Sequence, residues 1–141
     1  MIAPFGDYTP TDVPRNNDSL VMTVSFGERS FLLTGDAEKE IEYRIVGEGK
    51  LPGHVDVLKL GHHGSRTSST ADLLDAARPS FAIVSAGFEN LYRHPHPDVL
   101  KRLEQRGVRV FRTDNGGLIQ FVTDGRRLEK RAYNRQLAAM Q

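Results

Sequence analysis

The 141-residue sequence contains no cysteine, which excludes disulfides and thiolate metal sites. Any metal must then be held by His, Asp or Glu. No stretch approaches the ~20 consecutive apolar residues of a membrane-spanning helix. The first residues also lack the charged-then-apolar pattern of a signal peptide, so the chain itself is expected to be soluble. Net charge is nearly absent: 19 Lys and Arg against 18 Asp and Glu leave +1, which argues neither for nor against a polyanionic partner. No internal repeat or low-complexity segment is found. What remains, with 38% hydrophobic and 26% charged residues, is the composition of one globular domain with a core.

Chemistry concentrates where an apolar run, Val55 to Leu60, stops at Gly61-His62-His63-Gly64-Ser65-Arg66. Many α/β enzymes build their sites where buried strands end and present polar side chains. Histidine is both the commonest metal ligand and the usual acid or base near neutral pH. The flanking glycines permit a tight turn and leave room for a ligand. The competing reading makes one imidazole a strand-end hydrogen-bonding group and the other a solvated side chain.

Taken in order, residues 1–18 read as an irregular, Pro-containing lead-in without a core of their own. Alternation of Leu20, Met22, Val24 and Phe26 with smaller or polar residues predicts a strand, and Ser30–Thr34 returns as its hairpin partner. Ala37, Ile41 and Ile45 then predict a helix with Asp36 as N-cap and Gly47 just past its end. An Asp at that corner can also offer an oxygen to a metal, so the two roles do not compete. Ser69 or Thr70 caps a second helix over 71–78, Phe81–Ser85 is a buried strand, and Pro97 opens a third helix. Asn115-Gly116, between the runs 108–113 and 117–123, predicts a second hairpin. Residues 126–141 read as a basic helical tail with Arg127, Arg131 and Arg135 at helical spacing, either a solvated face or a phosphate contact. Strands alternating with helices place Asp36, His62, His63, Asn90 and His94 as candidates for one site.

Several segments, in order, carry a resemblance: Asn17-Asp18-Ser19, Phe31-Leu32-Leu33-Thr34-Gly35-Asp36, Leu60-Gly61-His62-His63-Gly64-Ser65, and Ser85-Ala86-Gly87 followed by Asn90, Tyr92 and His94-Pro95. Together they resemble the C-terminal metallo-β-lactamase-like domain of ComEC-type DNA-uptake (competence) proteins, over about residues 16–125. The resemblance implies an α/β (α+β) fold, an αβ/βα sandwich with a divalent metal site of zinc or manganese at one sheet edge. It implies a hydrolase, a nuclease or phosphodiesterase acting on DNA, attached to a membrane channel domain of the same polypeptide in a bacterial cell membrane.

By the same resemblance Asp36 matches the metal-bridging Asp, and one of His62 and His63 matches the final metal-binding His. Asn90 and His94 match a polar loop where substrate contact and proton transfer are expected, with Ser65 and Arg66 as further phosphate contacts. The family's His-x-His-x-Asp-His signature is absent. His94-Pro95-His96-Pro97-Asp98 imitates it, but Val99 stands where the closing His belongs and Asp98 opens a helix. The chain therefore reads as the second half of such a domain over 19–125. It is expected to be inactive or weakly active alone, with an apolar surface that is exposed or hidden in a homo-oligomer. Alternatives are a non-catalytic nucleic-acid-binding or docking module, and a metallo-hydrolase of small or cell-wall phosphodiesters.

Overall fold

A computed structural model describes residues 1–9 and 12–131 of the chain. A five-stranded mixed sheet runs through it in the order β1-β2-β3-β4-β5, formed by Met22–Phe26, Arg29–Leu33, Val57–Lys59, Phe81–Val84 and Arg109–Arg112. β1 and β2 make the expected antiparallel hairpin. β2, β3, β4 and β5 are mutually parallel neighbours, so their carboxyl ends share one edge. Helices connect the parallel strands: α1 is Lys39–Gly47, α2 is Ala71–Ala77 and α3 is Pro97–Glu104. The fold is mixed α/β.

Strand alternation sends one set of side chains to each face of the sheet. Leu32, Leu58 and Ala82 are registered neighbours on the helical side. They are buried with Ile45 of α1, Leu74 and Ala77 of α2, and Val99 and Leu103 of α3. The lead-in is irregular as expected, yet it contributes to this core: Ile2, Ala3 and Phe5 are buried, and Ala3 bridges to Val21.

The opposite face is apolar too. An antiparallel pair, β6 (Gln120–Thr123) and β7 (Leu128–Arg131), covers its β4–β5 end. There the Phe121 ring lies 5.5 Å from Phe81 and 5.7 Å from Phe111. Towards β1 and β2 the face stays open, with Val24, Phe26 and Leu33 46%, 59% and 38% exposed. The single chain thus has a sheet with two apolar faces and one uncovered strip, the kind of patch that marks an interaction surface.

Three local expectations are corrected. Asn115-Gly116 does not turn a hairpin, because Thr113–Gly116 forms a single helical turn, α4, braced by a bidentate Arg112–Asp114 pair. β5 pairs with β4 instead, and the hairpin turn moves to Asp124, whose Oδ1 accepts the N–H groups of Arg126 and Arg127. The basic tail is not helical where it is described: ladder pairing with β6 makes Leu128–Arg131 a strand, separating Arg127 from Arg131 as a helical stripe; Arg135 lies outside the described residues. Asp36 does not cap α1. Its N–H is taken by Ser19 Oγ at 2.9 Å, the helix starts at Lys39 after an N-cap at Glu38, and Gly47 is its last residue.

Buried polar contacts tie the helices to the segment following the His62–His63 turn. Glu42 of α1 is fully buried, and its carboxylate accepts the N–H groups of Ser69 at 2.6 Å and Thr70 at 2.8 Å. Burial pushes the Glu42 carboxyl up, against the opposing pull of those N–H groups and of Arg102. Arg102 of α3 donates to the Ser69 carbonyl at 2.7 Å. Removing the carboxylate leaves two buried N–H groups unpaired, at about 1–3 kcal/mol each. Glu42→Ala should therefore lower stability by about 2–6 kcal/mol in a denaturant titration, and Glu42→Gln, which keeps one acceptor, should lower it less.

Candidate functional site

The first corner of the site follows β2. Ser19 Oγ holds the Asp36 N–H, and Asn17 Oδ1 holds the Glu38 N–H at 2.8 Å. Gly35 has φ +56° and a Cβ there would lie 2.8 Å from Ser19 Cβ, so only glycine lets these two segments close on each other. The Asp36 side chain is left 41% exposed. Beside it Lys59, half-buried, donates to the Gly35 carbonyl at 3.1 Å. Burial pushes the Lys59 ammonium below its ordinary range, while the Asp36 carboxylate pulls it the other way.

The second corner follows β3. His62 and His63 both occupy left-handed backbone, with φ of +44° and +57°. His63 Nδ1 lies 2.6 Å from the Ser85 carbonyl, which can only accept, so Nδ1 carries the proton. In the neutral ring, Nε2 is then a lone pair, and it faces Asp36 Oδ1 at 3.6 Å. Two acceptors opposed in this way call for a proton or a cation between them. His62 is held similarly, its Nδ1 donating to Glu38 Oε1 at 3.2 Å. Glu38 is itself fixed by the Thr67 hydroxyl at 2.7 Å. That hydrogen bond, then those of His62 and Asn16, hold its carboxyl below the usual range in spite of burial. Backing an imidazole N–H with a carbonyl or carboxylate is how metal-binding histidines are commonly oriented.

The third corner follows β4. The Asn90 side chain is a hub: its Oδ1 accepts the His94 N–H at 2.8 Å, and its Nδ2 donates to the carbonyls of Gly87 at 3.0 Å and His94 at 2.8 Å. The loop is docked onto the histidine turn through Gly64, whose carbonyl accepts the His96 N–H at 2.9 Å. With φ +84°, a Cβ on Gly64 would stand 2.7 Å from Pro95 Cβ. His94 thereby comes 5.8 Å from His62, ring to ring, and stacks with Tyr92 at 5.9 Å. Burial first, and then the neighbouring His62, His63 and His96, hold the His94 imidazole below its ordinary pKa. His94 Nδ1 is buried without a hydrogen-bond partner among the described residues.

The structure therefore brings Asp36, His62, His63 and His94 together. Asn90 is present as the residue that shapes the His94 loop, with its amide committed to backbone groups rather than to a substrate. Ser65 is buried and shares its hydroxyl with Thr67 at 3.0 Å. Arg66 is exposed, and no hydrogen bond or ion pair joins its guanidinium to the histidines among the described residues. His96 Nδ1 accepts the Asp98 N–H at 3.2 Å, so this residue is the N-cap of α3. Glu38 and Lys59 were not singled out from the sequence. With the helix cap assigned to Asp36, Glu38 two residues on has no role in the sequence pattern, and Lys59 lies inside the apolar run Val55 to Leu60.

As a metal centre the set is incomplete. Asp36 and His63 supply facing donors, but among the described residues no three His, Asp or Glu side chains converge to hold a metal ion. Among the same residues no helix is long and apolar enough to cross a membrane.

No family model matches the chain. ComE operon protein 3 of Bacillus subtilis is 43% identical over 113 residues, which are 79% of this chain and 14% of that protein. Competence protein ComA of Neisseria gonorrhoeae is 38% identical over 110 residues, 78% of this chain and 16% of that protein. The chain is related to a segment of ComEC-type competence proteins. Recombination protein 2 of Haemophilus influenzae adds 38% identity over 120 residues, covering 85% of this chain and 14% of that protein. The chain thus spans 14–16% of the length of these relatives.

The depressed His94 pKa makes a directional prediction. An unfolded His titrates near ~6.5, and folded His94 titrates below that. Between the two values the unfolded chain binds more protons, so this residue withdraws stability as the pH falls through that window and is neutral above it. NMR of the ring nitrogens should find His94 less protonated at pH 6.5 than an ordinary His, which is about half-charged there. A half-charged His94 there would contradict the packing described.

Proposed function

We propose that this chain forms one rim of the active site of a metal-dependent nuclease or phosphodiesterase domain of the metallo-β-lactamase type, within a membrane-associated DNA-uptake protein. The facing pair of Asp36 Oδ1 and His63 Nε2, 3.6 Å apart at the carboxyl edge of parallel strands, carries this reading. Such a pair suits a divalent cation, zinc or manganese, and the second imidazole, His62, is oriented by the same device. Two facing donors fall short of the three protein ligands of a catalytic zinc. The remaining ligands belong, on this reading, to other parts of the parent polypeptide.

The open strip at Val24, Phe26 and Leu33 has the same explanation: another layer of that domain covers it. The names of the relatives, competence and recombination proteins, support DNA as the material handled. Their length, several times that of this chain, accommodates a membrane channel domain. His94, its pKa held below the ordinary range by burial, is the imidazole at the edge of the site suited to take a proton, and Asn90 positions it.

Incubation of this chain with single-stranded DNA and Mn²⁺ or Zn²⁺ should give little or no cleavage. The corresponding complete domain of the parent should cleave. Asp36→Ala in that domain should reduce the rate by about 100-fold or more, beyond what loss of an outer-shell partner costs. Robust cleavage by this chain alone, abolished by Asp36→Ala, would contradict the split site. No cleavage by the complete domain would favour a non-catalytic nucleic-acid-binding module.

A further inference from the structure

The loop between β4 and α3 leaves large side chains in water beside the site. Phe88, Leu91 and Tyr92 are 77%, 95% and 81% exposed within five residues of one another. Clustered exposure of this kind marks a surface that meets something. The loop is not loosely placed: Asn90 closes it from inside with hydrogen bonds to Gly87 and His94, and Arg93 N–H donates to the Asn90 carbonyl at 3.0 Å. The Tyr92 ring stacks near-parallel with His94, 19° between planes and 5.9 Å between centroids. One face of the phenol is backed by an imidazole while the residue as a whole stays in solvent.

Beneath it lies a cavity of about 470 Å³ whose walls include His63, Ala86, Gly87, Tyr92 and His94. That volume falls within the ~300–1,000 Å³ of small-ligand sites. Arg93, exposed and without an ion pair among the described residues, follows Tyr92 and lines the adjoining cleft. A flat aromatic face, a cavity with small residues in its wall and an unpaired guanidinium match one ligand chemistry: a planar base on a phosphate backbone. Aromatic side chains stack unpaired bases without regard to sequence, and Arg takes the phosphate.

We propose that Tyr92, backed by His94 at the mouth of the cavity beside His63, is a stacking platform for an unpaired nucleobase, with Phe88 taking a neighbouring base and Arg93 a phosphate. This deepens the DNA-handling reading and rests on it, since it gives the site a preference for single strands. A duplex keeps its bases stacked on each other and cannot offer one to Tyr92.

The test uses the whole chain without added metal and fluorescence anisotropy with three probes of equal length: a single-stranded thymidine oligonucleotide, a duplex, and an abasic single strand that keeps the phosphates. The thymidine strand should bind tightest. Tyr92→Ala should weaken it by about tenfold while leaving the abasic strand unchanged, and Tyr92→Phe should retain binding. Equal affinity for thymidine and abasic strands, or no effect of Tyr92→Ala, overturns the proposal; so does failure of the wild-type chain to bind the single strand. Binding to anionic phosphatidylglycerol vesicles that depends on Tyr92, with single-strand binding unaffected by its loss, assigns the loop to a membrane instead and also overturns it. Failure of the nuclease reading is separately visible: a parent domain that does not cleave, with Tyr92-dependent binding intact, defeats the enzyme alone.

Discussion

Consecutive left-handed residues at His62 and His63 are the constraint around which the site is assembled. An L-residue in that region costs roughly 1–2 kcal/mol, so the turn persists only because its surroundings over-determine it. Ser68 Oγ donates to the Gly61 carbonyl at 2.8 Å, and the Gly64 carbonyl accepts from His96. Behind these, Glu42 and Arg102 fix the backbone of residues 69 and 70 from two different helices. The turn in exchange aims one imidazole at Asp36 and the other towards His94.

Seen this way, the buried polar groups of the helical layer serve the edge of the sheet. Glu42 is costly to bury, and an apolar residue would pack there without penalty if nothing else were needed. Its carboxylate instead supplies two acceptors to the start of α2 and so anchors the chain leaving the histidine turn. The Asn17–Ser19 segment does the same for the chain leaving β2, by holding the N–H groups of Asp36 and Glu38. Backbone anchoring on both sides brings Asp36 and His63 to within 3.6 Å of each other.

The fold was largely legible because the strands announce themselves: Phe31–Leu33, Val57–Leu58 and Phe81–Val84 are apolar runs that end at glycine or polar corners. Thr70 and Pro97 likewise marked the openings of α2 and α3. Asn115-Gly116 misled because a local turn signal was outweighed by the parallel pairing of β5 with β4 and by the Arg112–Asp114 pair. The basic tail misled because cross-strand pairing overrode helical spacing. In the site, Asp36, His62, His63 and His94 could be named from residue type and position alone. Glu38, Lys59 and the closed amide of Asn90 could not, since their roles arise from contacts between segments distant in sequence. On the proposed reading, the open apolar strip and the absence of a third converging donor among the described residues have a common cause, since this segment is one part of a larger domain.

The most direct measurement of that claim is calorimetric titration of Zn²⁺ or Mn²⁺ into this chain and, side by side, into the complete domain of the parent protein. The account predicts weak binding by the chain and much tighter binding by the complete domain, with the gain lost in His63→Ala. Equally tight, His63-dependent binding by the chain alone would contradict it.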